Sequence, residues 1–168
     1  MAHPWTEIGD RVFVRRYAFF DQNIVAILSG DVNPQHVDPA FAASSRFHGV
    51  IAHGMWGGAL ISAVLGTRLP GPGTVYLGQT LRFLAPVKLG DRLTVQVTVT
   101  ALDPGKRCVT LACSCTNQDG KRVIEGDAQV IAPDERIERP RTALPEIRLD
   151  VAGNDGLERL LAHVAPLE

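Results

Sequence analysis

Asp31 and His36 stand five residues apart in the run Ser29-Gly30-Asp31-Val32-Asn33-Pro34-Gln35-His36-Val37-Asp38-Pro39. Between them Asn33-Pro34 reads as a turn or helix start, which can aim both side chains into one cleft. With reference pKa values of about 3.9 for Asp and about 6.5 for His, the pair offers at neutral pH a ready base beside a group that holds or donates a proton. General acid–base chemistry on water needs that pairing. Alone, Asp31 reads as a turn residue and His36 as a hydrogen-bonded, partly buried ring; their spacing makes them a pair. Asn33 and Asp38 each precede a proline and read as caps rather than reactants.

A second segment, Ile51-Ala52-His53-Gly54-Met55-Trp56-Gly57-Gly58, opens an apolar helix with glycine. The first backbone N–H groups of a helix lack intrahelical partners, and its dipole adds partial positive charge there. Gly54 removes the side chain that would block close approach, which suits an oxyanion hole for a carbonyl that becomes an enolate. His53 reads as a ring hydrogen-bonding its surroundings, and Gly57 and Gly58 as sites of close helix–sheet packing. Ser62 on the same helix reads equally as a small packing residue or a supporting hydroxyl. The set His36, Asp38, His48 and His53 matches no metal-binding template, so no metal is expected.

The elements that must position these residues can be read from periodicity. Val12 to Val14 suggests a first strand, and Asp21 is placed to cap a helix from Gln22 to about Leu28, ended by Ser29-Gly30-Asp31. The apolar helix runs from about Met55 to Leu65. Thr74 to Leu84 reads as one strand, stopped by Pro86. Leu93, Val95, Val97, Val99 and Ala101 alternate with polar residues, the period of a half-buried strand. Asp103-Pro104-Gly105-Lys106 is a turn, Val109 to Cys115 the next strand, and Asn117-Gln118-Asp119-Gly120 a hairpin turn leading into Arg122 to Ile131. Strands gathered after one apolar helix predict an α+β fold, an antiparallel sheet wrapped on that helix. Cys113 and Cys115 share one strand face and Cys108 takes the other, so the three cysteines are expected as reduced thiols of a cytoplasmic protein.

The 168 residues carry a formal net charge of −1, with 45% hydrophobic and 21% charged residues. That composition belongs to a globular chain and argues against a nucleic-acid binder, which shows a basic domain or stripe. The start shows no signal peptide, and the apolar helix is too short for a bilayer that needs about 20 apolar residues. Residues 1–132 read as one domain and 133–168 as an appendage. In the latter, Pro133 to Pro145, rich in Pro and Arg, suits an extended linker. Asn154 or Asp155 then caps a helix with Leu157, Leu160, Leu161 and Val164 on one stripe.

Gly30-Asp31-x-Asn33-Pro34-x-His36-x-Asp38, Phe41-Ala42, His53-Gly54-Met55 and Tyr76-Leu77-Gly78-Gln79 together resemble the MaoC-like, (R)-specific enoyl-CoA hydratases, over roughly residues 10–132. The resemblance implies a hot-dog fold and a homodimer, or higher homo-oligomer, whose sheets join edge to edge. It implies hydration of trans-2-enoyl-CoA to (R)-3-hydroxyacyl-CoA, with Asp31 and His36 as the catalytic pair and the Gly54 N–H as oxyanion donor. Asn33 shapes the turn, and Ser62 falls where members often carry a supporting hydroxyl. The expected partner is an acyl-CoA thioester, with no cofactor, nucleic acid or membrane. In that frame Gly78 and Gln79 are candidate substrate contacts. Arg82 and Lys88 are either surface charges or contacts to CoA phosphates, and Leu65 and Val130 either core or acyl-pocket walls. An acyl-CoA thioesterase on the same scaffold and a non-catalytic acyl-CoA-binding module are the alternatives. The appendage also resembles the junction of bacterial fusions in which such a hydratase domain precedes a phosphate acyltransferase domain.

Overall fold

The computed structural model describes residues 6–17 and 22–138. In chain order these form β1 (Arg11–Tyr17), α1 (Gln22–Ser29), α2 (Pro34–Val37), α3 (Pro39–Ser44), α4 (Gly54–Thr67), β2 (Val75–Gln79), β3 (Arg82–Phe83), β4 (Arg92–Asp103), β5 (Cys108–Thr116) and β6 (Arg122–Ile131). The strands make one antiparallel sheet in the order β1-β4-β5-β6-β2, with β3 also paired to β6. Helix α4 packs against this sheet, which is the hot-dog arrangement of the α+β class.

The alternation read along β4 is its burial pattern: Leu93, Val95, Val97 and Val99 are buried and the residues between them are not. Val109, Leu111, Cys113 and Cys115 do the same on β5, while Cys108 lies on the other face; all three cysteines are unbridged. From α4 the residues Ile61, Val64 and Leu65 enter this core. Each such aliphatic side chain contributes about 1.5–3 kcal/mol when fully buried. Gly57 lets the helix come close: a Cβ there would stand 2.1 Å from Ile124 Cδ1 on β6.

One expectation is corrected. Thr74 to Leu84 is not a single strand but two short ones, β2 and β3, separated at Thr80-Leu81. The cause lies across the sheet at Gly126, where a Cβ would stand 1.9 Å from the Thr80 carbonyl oxygen. The chain turns onto β6 there, with Thr80 N–H donating to the Asp127 carbonyl at 2.8 Å and Asp127 N–H to Thr80 Oγ1 at 3.0 Å. The register also slips between Tyr76 and Gly78, leaving Leu77 as an extra residue.

Packing on the domain continues past residue 132. Pro133 and Ile137 lie over Gly73, and Arg107 pairs with Asp134. The cap at Asp21 and the stripe of Leu157, Leu160, Leu161 and Val164 lie outside the described residues.

Candidate active site

Short polar side chains build the segment that carries Asp31 and His36. Helix α1 ends where Gly30, at φ +74°, donates its N–H to the Ala26 carbonyl. Asp31 N–H then donates to Ser29 Oγ at 3.2 Å, and Asp31 Oδ1 accepts Asn33 N–H at 3.1 Å. Asn33 caps α2 by accepting Gln35 N–H at 3.0 Å, and Asp38 caps α3 by accepting from Ala40 and Phe41 at 2.8 and 3.0 Å. These are the Asx turns and N-caps that Asp and Asn favour. The buried Gln35 amide donates to the Gly49 carbonyl at 3.0 Å and ties the segment to the loop before α4. That loop is held in turn by Ala52 N–H donating to the Val87 carbonyl at 2.8 Å.

His36 Nδ1 lies 2.8 Å from the Ile51 carbonyl oxygen. A carbonyl only accepts, so Nδ1 carries the hydrogen and, in the neutral ring, Nε2 presents the lone pair. His53 Nε2 lies 2.9 Å from the Asp31 carbonyl oxygen and 3.9 Å from Asp31 Oδ2. By the same reasoning Nε2 is the protonated nitrogen of His53. The two imidazoles stack with centroids 4.1 Å apart and planes inclined by 30°. His53 is buried, 3% exposed, whereas the Asp31 side chain is 50% exposed and open to solvent.

A carboxylate oxygen of Asp31 and a ring nitrogen from each of His36 and His53 all lie within 4.8 Å of one another. With hydrogen bonds of about 2.7–3.0 Å, one water oxygen can bridge two acceptors at that separation.

Helix α4 begins at Gly54, directly after His53, whose side chain makes no capping bond to its own helix. Gly54 is exposed. It lines a cleft of about 330 Å³ with His53, Ile51, Trp56, Phe83 and Arg46 among the walls. The Phe83 ring stands beside the glycine: a Cβ on Gly54 would lie 2.9 Å from Phe83 Cε1.

The structure thus brings Asp31 and His36 together, adds His53, and places Gly54 next to it, while Asn33 serves as the cap of α2. The other candidates sit elsewhere. Ser62 is exposed two turns further along α4. Leu65 and Val130 are fully buried core residues, and neither lines the cleft. Gly78 follows the irregularity in β2, and Gln79 accepts from the Tyr76 hydroxyl and donates to the Thr80 carbonyl at 2.7 Å. Arg82 pairs with Glu125 at 3.5 Å, and Lys88 bridges to Ile51 through the main chain. The cleft residues Arg46, Trp56 and Phe83 carry no local pattern that singles them out. The sequence reads His53 as a ring hydrogen-bonding its surroundings; that its partner is Asp31 depends on a long-range contact. Burial pushes the Cys113 and Cys115 thiols up to about 12, and Tyr76, through burial and its neighbour Cys113, also to about 12. All three stay protonated near neutral pH, and the thiols offer no ready nucleophile.

Residues 20–119 match the MaoC like domain family. Over 113 residues the chain is 52% identical to an (R)-specific enoyl-CoA hydratase of Rhodospirillum rubrum, covering 67% of this chain and 78% of that protein. Over 128 residues it is 42% identical to the (R)-specific enoyl-CoA hydratase of Aeromonas caviae, covering 76% and 96%. Its fold is similar to that of the unliganded R-hydratase PhaJ1 from Pseudomonas aeruginosa, with a TM-score of 0.79 and 47% identity over 86% of this chain and 93% of that one.

Proposed function

The chain belongs to the MaoC-like domain family, and from that premise we infer that it is an enoyl-CoA hydratase, adding water to trans-2-enoyl-CoA to give (R)-3-hydroxyacyl-CoA and catalysing the reverse dehydration. The observation that carries this reading is the carboxylate of Asp31 and a ring nitrogen of His36 brought within 4.8 Å of each other.

His36 Nδ1–H is spent on the Ile51 carbonyl, so Nε2 is the lone pair available to take a proton from the water. Asp31 Oδ1 is engaged by Asn33 N–H, which holds the carboxylate in place. As the water O–H breaks, its oxygen bonds to C3, and the C2–C3 π electrons move toward the thioester carbonyl as an enolate. The Gly54 N–H, at the first position of α4, meets that oxygen and stabilises the transition state by about 3–4 kcal/mol, the scale of a single oxyanion donor. A proton is then delivered to C2 on the same face from the Asp31–His36 pair. Water is the only co-reactant, so the reaction calls for neither a metal nor a redox cofactor.

The same reading makes the protein a cytoplasmic homodimer. The unbridged cysteines suit a reducing compartment. Strand β2 lies at the sheet edge with Val75, Tyr76 and Leu77 exposed, and such edges are covered or paired, most simply across a two-fold axis. Light scattering should give twice the 18.2 kDa chain mass; a monomer at micromolar concentration would refute the dimer.

The function is tested by incubating the purified protein with enoyl-CoA thioesters of four, six, eight and more carbons. Loss of enoyl absorbance is followed together with free thiol release and chiral analysis of the product. Hydration to the (R)-alcohol without thiol release is the expected result. Thiol release without loss of the double bond would make the protein a thioesterase instead.

A further inference from the structure

We propose that His53 is the positioning residue of the acid–base pair, fastening the Asp31 turn to the N-terminus of α4 so that the pair and the Gly54 amide keep one fixed geometry. This inference rests on the hydratase reading above. His53 is the N-cap residue of α4, yet its side chain makes no capping bond there. The ring instead reaches back 22 residues along the chain, and its Nε2–H donates to the Asp31 carbonyl at 2.9 Å. Asp31's other hydrogen bonds among the described residues reach only Ser29 and Asn33, within its own turn. The ring also lies under His36, with 4.1 Å between centroids.

One buried ring therefore touches the main chain of one member of the pair and the side chain of the other. Its own backbone runs directly into the proposed oxyanion donor. A buried donor left without its acceptor is expensive, so the Nε2–H···O=C bond is one the fold must keep. Losing it frees a half-exposed carboxylate that is otherwise held only within its turn. Misplacing a reacting group by about 1 Å costs about 100-fold in rate. His53 meets the substrate through neither mechanism step, so the loss should fall on kcat and leave KM little changed.

Two amide variants test this. Gln places its amide nitrogen near the position of Nε2 and can still donate to the Asp31 carbonyl; the shorter Asn cannot reach it. Expected for His53→Asn is a fall in kcat of about 100-fold with KM within about threefold of wild type. Expected for His53→Gln is recovery of at least about tenfold of that loss. A residue that merely filled space would show no such order. Equal kcat in the two variants, whether at the wild-type level or equally reduced, overturns the proposal. If neither amide folds, His53→Phe preserves the ring volume without the donor. It must also lose turnover, and full turnover in that variant overturns the proposal. Wild-type protein in the same assay separates the two failures: no hydration by wild type sinks the hydratase reading, whereas active wild type with indifferent variants sinks only the role of His53.

Discussion

The approach of α4 to β6 sets a stability change whose sign depends on a second residue. Replacing Gly57 by Ala places a Cβ 2.1 Å from Ile124 Cδ1, and Ile124 is 2% exposed, so its terminal methyl must move within a packed core. Overpacking of this kind costs about 1–3 kcal/mol. Against it stands the gain of replacing a helix-interior glycine by alanine, about 1 kcal/mol. The net expectation is a loss of about 1 kcal/mol, a fall in melting temperature of about 2–4 °C for a chain of this size. Ile124→Val removes the methyl that clashes, and the next atom, Cγ1, lies at 3.6 Å, an ordinary contact. In that background Gly57→Ala keeps only the helix gain and should raise the melting temperature by a similar amount. The double-mutant cycle should thus show a coupling of about 2 kcal/mol. Calorimetry on the four proteins at one fixed protein concentration measures it. Additive effects, or a rise in melting temperature for Gly57→Ala in both backgrounds, would refute the close approach of helix and strand.

Asp31→Asn and His36→Gln should each lower hydratase turnover by about 100-fold or more while leaving the melting temperature within a few degrees of wild type; near-wild-type turnover in either excludes the pair as the acid–base machinery. Gly54→Val drives a side chain into the Phe83 ring, 2.9 Å from the first added carbon, and into the mouth of the helix N-terminus. It should cut turnover by about 100-fold or more and stability by far less, and a fully active variant would put the oxyanion donor elsewhere. Under mild alkylation at pH 8, mass spectrometry should find Cys113 and Cys115 unlabelled until the protein is unfolded, because burial holds both thiols protonated up to about 12. The folded thiols bind protons that the unfolded chain releases from about pH 9, so their contribution is fully present below that value. It is lost as pH rises toward about 12, and the melting temperature should fall across that window.

Local chemistry made much of this legible from sequence. Leu93 to Val99 alternate because one face of β4 meets the core, and the caps at Asn33 and Asp38 are short-range bonds of the kind those residues make wherever proline follows. The split of β2 from β3 was not legible, since it depends on Gly126, 46 residues beyond Thr80, letting a carbonyl approach its α-carbon. Asp31 and His36 were identifiable by their spacing. His53 joins them only once α4 packs against the sheet, and Arg46, Trp56 and Phe83 form a cleft wall only through contacts no periodicity encodes.

Three side chains fasten the site, and each fastens to a carbonyl: His53 to Asp31, Gln35 to Gly49, His36 to Ile51. A main-chain oxygen is the same acceptor whatever residue bears it. Ile51 therefore holds the His36 imidazole through its backbone alone, and it is also among the residues that line the cleft. Its side chain can be exchanged for a larger or smaller one without removing the acceptor that holds the ring of His36. The hold on His36 is thus written into the main chain, where a change of side chain at position 51 does not erase it.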